Sequence, residues 1–88
     1  MRDIDELRRE IDILDARLME TLAARRKLVE EVGRYKKAHN LPASNSARKK
    51  EVLGKFKKSA AALGVETDFA AELYELIHRY AVKLEEKI

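Results

Sequence analysis

Several residue types that build small proteins are scarce or missing in this sequence. It has no cysteine and no tryptophan, and its 88 residues include one proline and three glycines. Without cysteine the chain forms neither a disulfide framework nor a thiolate metal site. Its two histidines, His39 and His78, lie too far apart in sequence to form a common metal motif, so we expect a metal-free protein.

Long apolar runs are missing as well. No stretch approaches the roughly 20 apolar residues that a membrane-spanning helix needs. The first six residues include Asp3, Asp5 and Glu6 and carry no apolar run of signal-peptide length. We therefore expect a cytoplasmic protein that does not act at a membrane.

Charged residues are abundant, at 40% of the chain, but the two signs nearly balance. Nineteen Lys and Arg residues stand against 16 Asp and Glu residues, which leaves a net charge of +3. A nucleic-acid-binding protein would concentrate its cations on one outer face, whereas Lys55, Lys57 and Lys58 form only a short cluster. This balance favours a small anionic partner over a nucleic acid.

The apolar pattern predicts an all-α fold in a single domain, residues 1–88, that begins with one long helix. Apolar residues with the three-and-four spacing of a helical stripe are Ile4, Leu7, Ile11, Leu14, Leu18, Leu22, Leu28, Val32 and Tyr35. The helix should run from about Asp3 to about His39, roughly 36 residues or about 54 Å. Because a short hairpin cannot cover so long a stripe, we expect two copies to pair along it in an intertwined homodimer.

A second, shorter helix is expected from about Ala47 to Ala62. Pro42 disfavours helix in the residue before it, and either Ser44 or Asn45 is suited to cap the new helix. Gly64 is a natural stop at its carboxyl end.

A third helix, also short, follows Gly64 and is capped in this interpretation by Thr67 or Asp68. Its apolar stripe is Phe69, Leu73, Leu76, Ile77, Tyr80, Val82 and Leu84.

Two cations lie where the long stripe should be apolar. Arg25 falls on the inner face, and Lys36 lies three turns further on the same face, about 16 Å away between Cα atoms. A buried guanidinium needs an anion nearby, and this spacing suits a small molecule with separated negative groups. Alternatively, Arg25 pairs with Glu72 or Glu75 of the core, and Lys36 extends outward into solvent.

Three further charged residues have both a functional and an ordinary interpretation. Arg8 lies about 25 Å from Arg25 along the helix, so the two share a small ligand only across an antiparallel dimer. In the ordinary interpretation, Arg8 flanks the apolar stripe and is exposed to solvent. Arg48 is a cation at a helix amino end, which opposes the helix dipole and favours a carboxylate-binding role. Glu85 flanks the third stripe on the face of Ile77 and Ala81, or is simply exposed.

His39 and His78 have no partner at ligand or triad spacing, and we expect surface or capping positions for both.

Taken together, the motifs resemble one known family. They are the segments Leu7–Ile11, Leu14–Asp15, Leu22–Arg26, Val32–Lys36 and Leu73–Ile77, together with Pro42 and Arg48. This pattern resembles the AroQ-type chorismate mutases over nearly the whole chain. Each segment alone is weak evidence, and the set is specific.

The resemblance implies a domain-swapped homodimer with two sites for a dicarboxylate and no cofactor. The partner subunit's Arg8 together with Arg25 would bind the two carboxylates, with Arg48 assisting, and Lys36 would donate to the ether oxygen of the breaking bond. The implied reaction is the rearrangement of chorismate to prephenate in aromatic amino acid biosynthesis. Such a site holds a compact conformer and stabilises charge that develops on the ether oxygen.

Four positions depart from the family pattern. Asn45 and Lys49 stand where the family commonly has Asp and Glu near the C4 hydroxyl, Ala81 replaces a frequent Ser, and Glu85 replaces the usual Gln. Glu85 donates a hydrogen bond to the ether oxygen only when protonated, so turnover should fall as the pH rises; alternatively, Lys49 pairs with it. These departures keep open 4-amino-4-deoxychorismate or isochorismate as the substrate, and a helical dimer without catalysis.

Overall fold

The computed structural model describes residues 1–88 as three helices with no strand. Helix α1 spans Ile4–Ala38, α2 spans Ser46–Leu63 and α3 spans Thr67–Glu86. The predicted all-α fold with one long and two shorter helices is confirmed. None of the three combines the length and the apolar character required to cross a membrane.

Local side-chain chemistry sets most of the helix ends. The side chain of Asp3 accepts a hydrogen bond from Glu6 N at 2.9 Å, and Asn45 accepts one from Arg48 N at 3.0 Å. Gly64 ends α2 in the left-handed conformation with φ 76°. These caps explain why the bounds of α1 and α2 agree with the sequence prediction to within a residue.

The predicted cap of α3 is wrong. Its N-cap residue is Glu66, whose side chain makes no capping hydrogen bond, so Thr67 and Asp68 already lie inside the helix. Asp68 stabilises the first turn through its charge, because the amino end of a helix carries partial positive charge.

Helix α3 lies between the other two helices and contacts both, whereas α1 and α2 do not contact each other. It runs in the same direction as α1. Arg26 Nη1 donates to Tyr80 Oη at 3.0 Å, and further along α1 Lys37 Nζ donates at 2.6 Å to the carbonyl oxygen of Ile88, just beyond the end of α3. This arrangement brings the last turn of α3 beside the last turns of α1.

The buried core of the single chain is small, and α3 contributes an unexpected face to it. Five residues are buried, namely Gly33, Ala60, Ala70, Tyr74 and Ala81. The predicted stripe of α3 does not form this core, since Phe69, Leu73, Leu76 and Tyr80 all remain exposed. The small side chains of Ala70 and Ala81 allow the helices to approach closely, and Leu73, Leu76 and Tyr80 line an uncovered groove.

The apolar stripe of α1 also remains uncovered in the single chain. Residues along it that are at least 45% exposed include Ile4, Ile11, Leu14, Leu18, Leu28 and Val32. The molecule measures 57 × 23 × 15 Å, because α1 extends far beyond the other two helices. The homodimer was predicted because a single chain cannot cover an apolar stripe of this length, and the stripe is indeed uncovered here. The homodimer itself stays a prediction.

Candidate active site

A pocket of about 200 Å³ lies where all three helices and the α1–α2 connection meet. Its lining residues are Arg25, Val29, Val32, Lys36, Ala43, Asn45, Arg48, Lys49, Val52, Tyr74, His78, Ala81 and Glu85. The set includes four cations and a single carboxylate. Every site residue predicted from the sequence lines this pocket except Arg8.

Lys36 and Glu85 form the ion pair at the end of the pocket. Lys36 Nζ lies 2.7 Å from Glu85 Oε1, and the side chains are 21% and 8% exposed. The same ammonium donates to the Ala43 carbonyl oxygen at 2.8 Å. The contact between Lys36 and Glu85 is an ion pair without the angles of a hydrogen bond. Glu85 Oε1 is therefore buried without a hydrogen-bond donor. Both ordinary interpretations, a solvated Lys36 and an exposed Glu85, are therefore wrong.

Arg25 is the unpaired cation of the pocket. Its side chain is half-buried, and it takes part in none of the six ion pairs of the chain. The alternative that it pairs with Glu72 or Glu75 is wrong, since Glu72 forms no ion pair and Glu75 Oε2 lies 3.0 Å from Lys49 Nζ. A half-buried guanidinium without a carboxylate partner favours an anionic ligand.

The amino end of α2 supplies the other polar side of the pocket. Asn45 uses its side-chain oxygen to cap the helix. Lys49 pairs with Glu75 rather than with Glu85, so the alternative Lys49–Glu85 pair is wrong.

Arg48 stands at the rim of the pocket, largely exposed, with its Nη1 3.0 Å from Glu51 Oε1. The pKa of Glu51 lies below its ordinary value, chiefly because Lys55 donates a hydrogen bond to it and also because Lys55 and Arg48 are positively charged. Glu51 thus holds the Arg48 guanidinium beside the pocket mouth.

Helix α3 places four residues in the pocket rather than the two that were predicted. Tyr74, His78, Ala81 and Glu85 follow each other at spacings of four, three and four, which is one helical face. Extending the face of Ala81 and Glu85 backward by these alternating steps would have found both missed residues. The prediction followed constant steps of four to Ile77, which instead lines an apolar groove.

The two histidines have different surroundings. His78 is half-buried and lines the pocket, with its ring 5.8 Å from that of Tyr74 between centroids, so it has neither a capping position nor a fully exposed one. His39 is the C-cap residue of α1, with Nδ1 2.8 Å from the Tyr35 carbonyl oxygen, and its predicted capping position is confirmed.

Arg8 lies outside the pocket, exposed near the amino end of α1. Between it and the pocket runs a groove of about 550 Å³ that is lined almost entirely by apolar side chains. Its one charged residue, Arg26, has its pKa raised, chiefly because it donates a hydrogen bond to Glu30 and further because of Tyr80. The groove offers an anion no set of cations comparable to that of the pocket.

The chain matches the family model described as chorismate mutase type II over residues 7–86. A T-protein of Enterobacter agglomerans is 35% identical over 77 residues, which cover 88% of this chain and 21% of that protein. A 4-amino-4-deoxychorismate mutase of Streptomyces venezuelae is 29% identical over 86 residues, covering 98% of this chain and 84% of the relative. A second one, from Streptomyces pristinaespiralis, is 29% identical over 84 residues, covering 96% and 65%.

These matches differ in how much of each relative they include. The chain spans about a fifth of the T-protein but most of the first Streptomyces protein. The family match, by contrast, extends over α1 from Leu7 onward, over the whole of α2 and α3, and over every residue that lines the pocket. The family predicted from the sequence motifs is thereby confirmed, and the chain belongs to the chorismate mutase type II family.

Proposed function

We propose that this protein is a cytoplasmic, homodimeric isomerase that rearranges chorismate to prephenate, a step of aromatic amino acid biosynthesis. The observation that carries the proposal is the charge pattern of the pocket. Four cations and one carboxylate, Glu85, surround about 200 Å³, so the pocket has a clear excess of positive charge. A compact dianion fits both this charge and this size.

The proposed chemistry needs no covalent bond between protein and substrate. Arg25, which has no carboxylate partner within the chain, binds one substrate carboxylate in the bidentate geometry that a guanidinium favours. Arg48 assists from the rim. Lys36, already held by the Ala43 carbonyl oxygen, donates to the ether oxygen on which negative charge develops as the carbon–oxygen bond breaks.

The proposed site is completed across a homodimer. Arg8 and Arg25 lie about 25 Å apart along α1, too far to contact one small ligand within a chain. Antiparallel pairing of two α1 helices covers their exposed apolar stripes and carries the partner subunit's Arg8 toward the pocket. The second carboxylate of the substrate then binds that arginine.

Two of the relatives are named 4-amino-4-deoxychorismate mutases, which makes that amine the second candidate substrate. Its amino group is protonated near neutral pH and would be attracted by carboxylates. This chain instead presents Lys49 and Asn45 at the positions associated with the C4 group. Because Lys49 repels an ammonium group, although Glu75 partly neutralises it, we favour the hydroxyl-bearing substrate.

The test is to follow the loss of chorismate absorbance with purified protein and to identify the product by chromatography. Prephenate should form, and Lys36→Met should lower kcat by about 10²- to 10³-fold, the usual effect of removing one such donor. Lys50→Met is the matched control, since Lys50 is exposed, forms no ion pair and lies outside the pocket.

The same assay with 4-amino-4-deoxychorismate separates the two candidate substrates. A higher kcat/KM for the amine would overturn the preference for chorismate. If a folded protein turned over neither compound but bound prephenate in calorimetry, the proposed catalysis would be wrong and the chain would be a binding domain.

A further inference from the structure

Gly33 lies inside helix α1, and the helix propensity of glycine does not explain its presence there. A glycine inside a helix destabilises it relative to alanine. Gly33 is nevertheless the one buried residue of α1, and it lies three residues before Lys36. Such a position calls for a close approach of backbone to backbone.

The neighbours that approach are Glu85, in the last turn of α3, and Ile88, just beyond the end of that helix. A Cβ atom at position 33 would lie 3.3 Å from Glu85 Cα, 3.3 Å from Glu85 Cγ and 2.8 Å from Ile88 Cδ1. The Ile88 methyl group is the end of a flexible side chain and can swing away. Glu85 Cα belongs to the backbone, so only a shift of the helix can relieve that contact.

Two consecutive cations of α1 hold this turn in place. Lys36 pairs with Glu85 at 2.7 Å, and Lys37 Nζ donates to the Ile88 carbonyl oxygen at 2.6 Å. Lys36 is also hydrogen-bonded to the Ala43 carbonyl oxygen, so its ammonium group cannot simply follow a displaced carboxylate. Any outward movement of the turn therefore lengthens the Lys36–Glu85 contact.

We propose that Gly33 is a positioning residue, whose missing side chain sets the depth at which Glu85 enters the pocket and hence its pairing with Lys36. This inference rests on the proposed function of the pocket for its kinetic consequences. Its structural content, the coupling of position 33 to position 85, does not depend on which substrate is used.

The first experiment compares Gly33→Ala with Gly54→Ala. Both add one methyl group to a helical glycine, but a Cβ at Gly54 has no heavy atom within 4 Å. Gly33→Ala should lower kcat by about tenfold with KM changed less than about twofold, because small misplacements of reacting groups cost rate steeply. Gly54→Ala should leave both constants unchanged and raise the melting temperature.

The second experiment asks whether the effect passes through Glu85. Gly33→Ala is combined with Glu85→Ala in a double-mutant cycle. If position 33 acts by placing the carboxylate, Gly33→Ala will lower kcat little further once the carboxylate is gone. Additive losses of kcat, or an unchanged kcat in Gly33→Ala alone, would overturn the proposal.

Thermal unfolding of the unsubstituted protein, Gly33→Ala, Glu85→Ala and the double variant tests the coupling even if chorismate proves not to be the substrate. Gly33→Ala should lower the melting temperature less in the Glu85→Ala background, where no ion pair remains to be broken. Equal losses in both backgrounds would refute the coupling. Should Gly33→Ala fail to fold, the double variant with Gly33→Ala and Ile88→Ala takes its place. It removes the contact at 2.8 Å and keeps the contacts with Glu85.

Discussion

At the scale of single residues, Glu85 has surroundings that its place in a charged segment does not suggest. Its side chain is nearly buried, and its Oε1 lies against the Lys36 ammonium without a hydrogen-bond donor. An ionised carboxylate accepts hydrogen bonds and cannot donate them, whereas a protonated carboxyl group can do both. A Glu85 carboxylate paired with Lys36 therefore adds no second donor for the ether oxygen of the proposed reaction.

This leads to a prediction for Glu85→Gln. The substitution should raise kcat/KM, because an amide N–H adds a second donor to the ether oxygen beside Lys36. The measurement is kcat/KM with chorismate near neutral pH, with Glu86→Gln, an exposed neighbour, as the control. A Glu85→Gln variant with unchanged kcat/KM would contradict the role given to this position.

At the scale of helices, Asn45 serves both the fold and the pocket. Its side chain caps α2, and it also lines the pocket. Asn45→Ala should lower the free energy of unfolding by about 1 kcal/mol in urea denaturation, because an amide N–H of the first turn loses its partner. Ser44→Ala is the matched control, since Ser44 makes no capping hydrogen bond.

Asn45→Asp separates the two roles of this residue. Aspartate caps a helix as well as asparagine does and interacts favourably with the amino end of α2, so stability should be retained. The added negative charge should shift the preference toward an amino-substituted substrate. A loss of stability equal to that of Asn45→Ala would show that the cap depends on more than the side-chain oxygen.

The sequence predicted the helices well where local chemistry decides them. Pro42, Asn45 and Gly64 act within a few residues of themselves, so the bounds of α1 and α2 could be read directly. The buried face of α3 could not, because it depends on which neighbour covers the helix. Tyr74 and Ala81 face the other helices, and the larger apolar stripe that drew the prediction points elsewhere.

The candidate site was predictable in the same uneven way. Arg25 and Lys36 interrupt an apolar stripe, and this is a signal that the sequence carries. His78 and Tyr74 carry no such signal by themselves, and only their place on the face of Ala81 and Glu85 could have indicated them. The burial of Glu85 depends on the contact of α3 with Gly33, which no pattern within one helix reveals.

At the scale of the whole molecule, the imbalance between exposed apolar surface and buried core is the main feature. Five residues are buried, while apolar side chains along the full length of α1 face solvent. A core of this size contributes little hydrophobic stabilisation. The proposed homodimer would supply the missing burial and the missing arginine of the site together.

Mixing two inactive variants tests that dimer. Arg8→Ala and Arg25→Ala homodimers should each be nearly inactive, because every site lacks one arginine. After subunit exchange, half of the dimers combine the two chains, and each of these has one intact site of two, so about a quarter of the natural activity should return. Mass spectrometry of the mixed dimer verifies the exchange. Verified mixed dimers without any recovered activity would rule out a site shared between chains.

The Lys36–Glu85 pair limits which ligands can use the Lys36 ammonium group. That group already faces an internal anion, held beside it at a high effective concentration. A ligand that displaced Glu85 would gain only the difference between its own contact and the lost one, whereas a ligand that accepts from the remaining N–H group would leave the pair intact. The pair therefore disfavours an anion that competes with Glu85 and tolerates a neutral acceptor such as an ether oxygen.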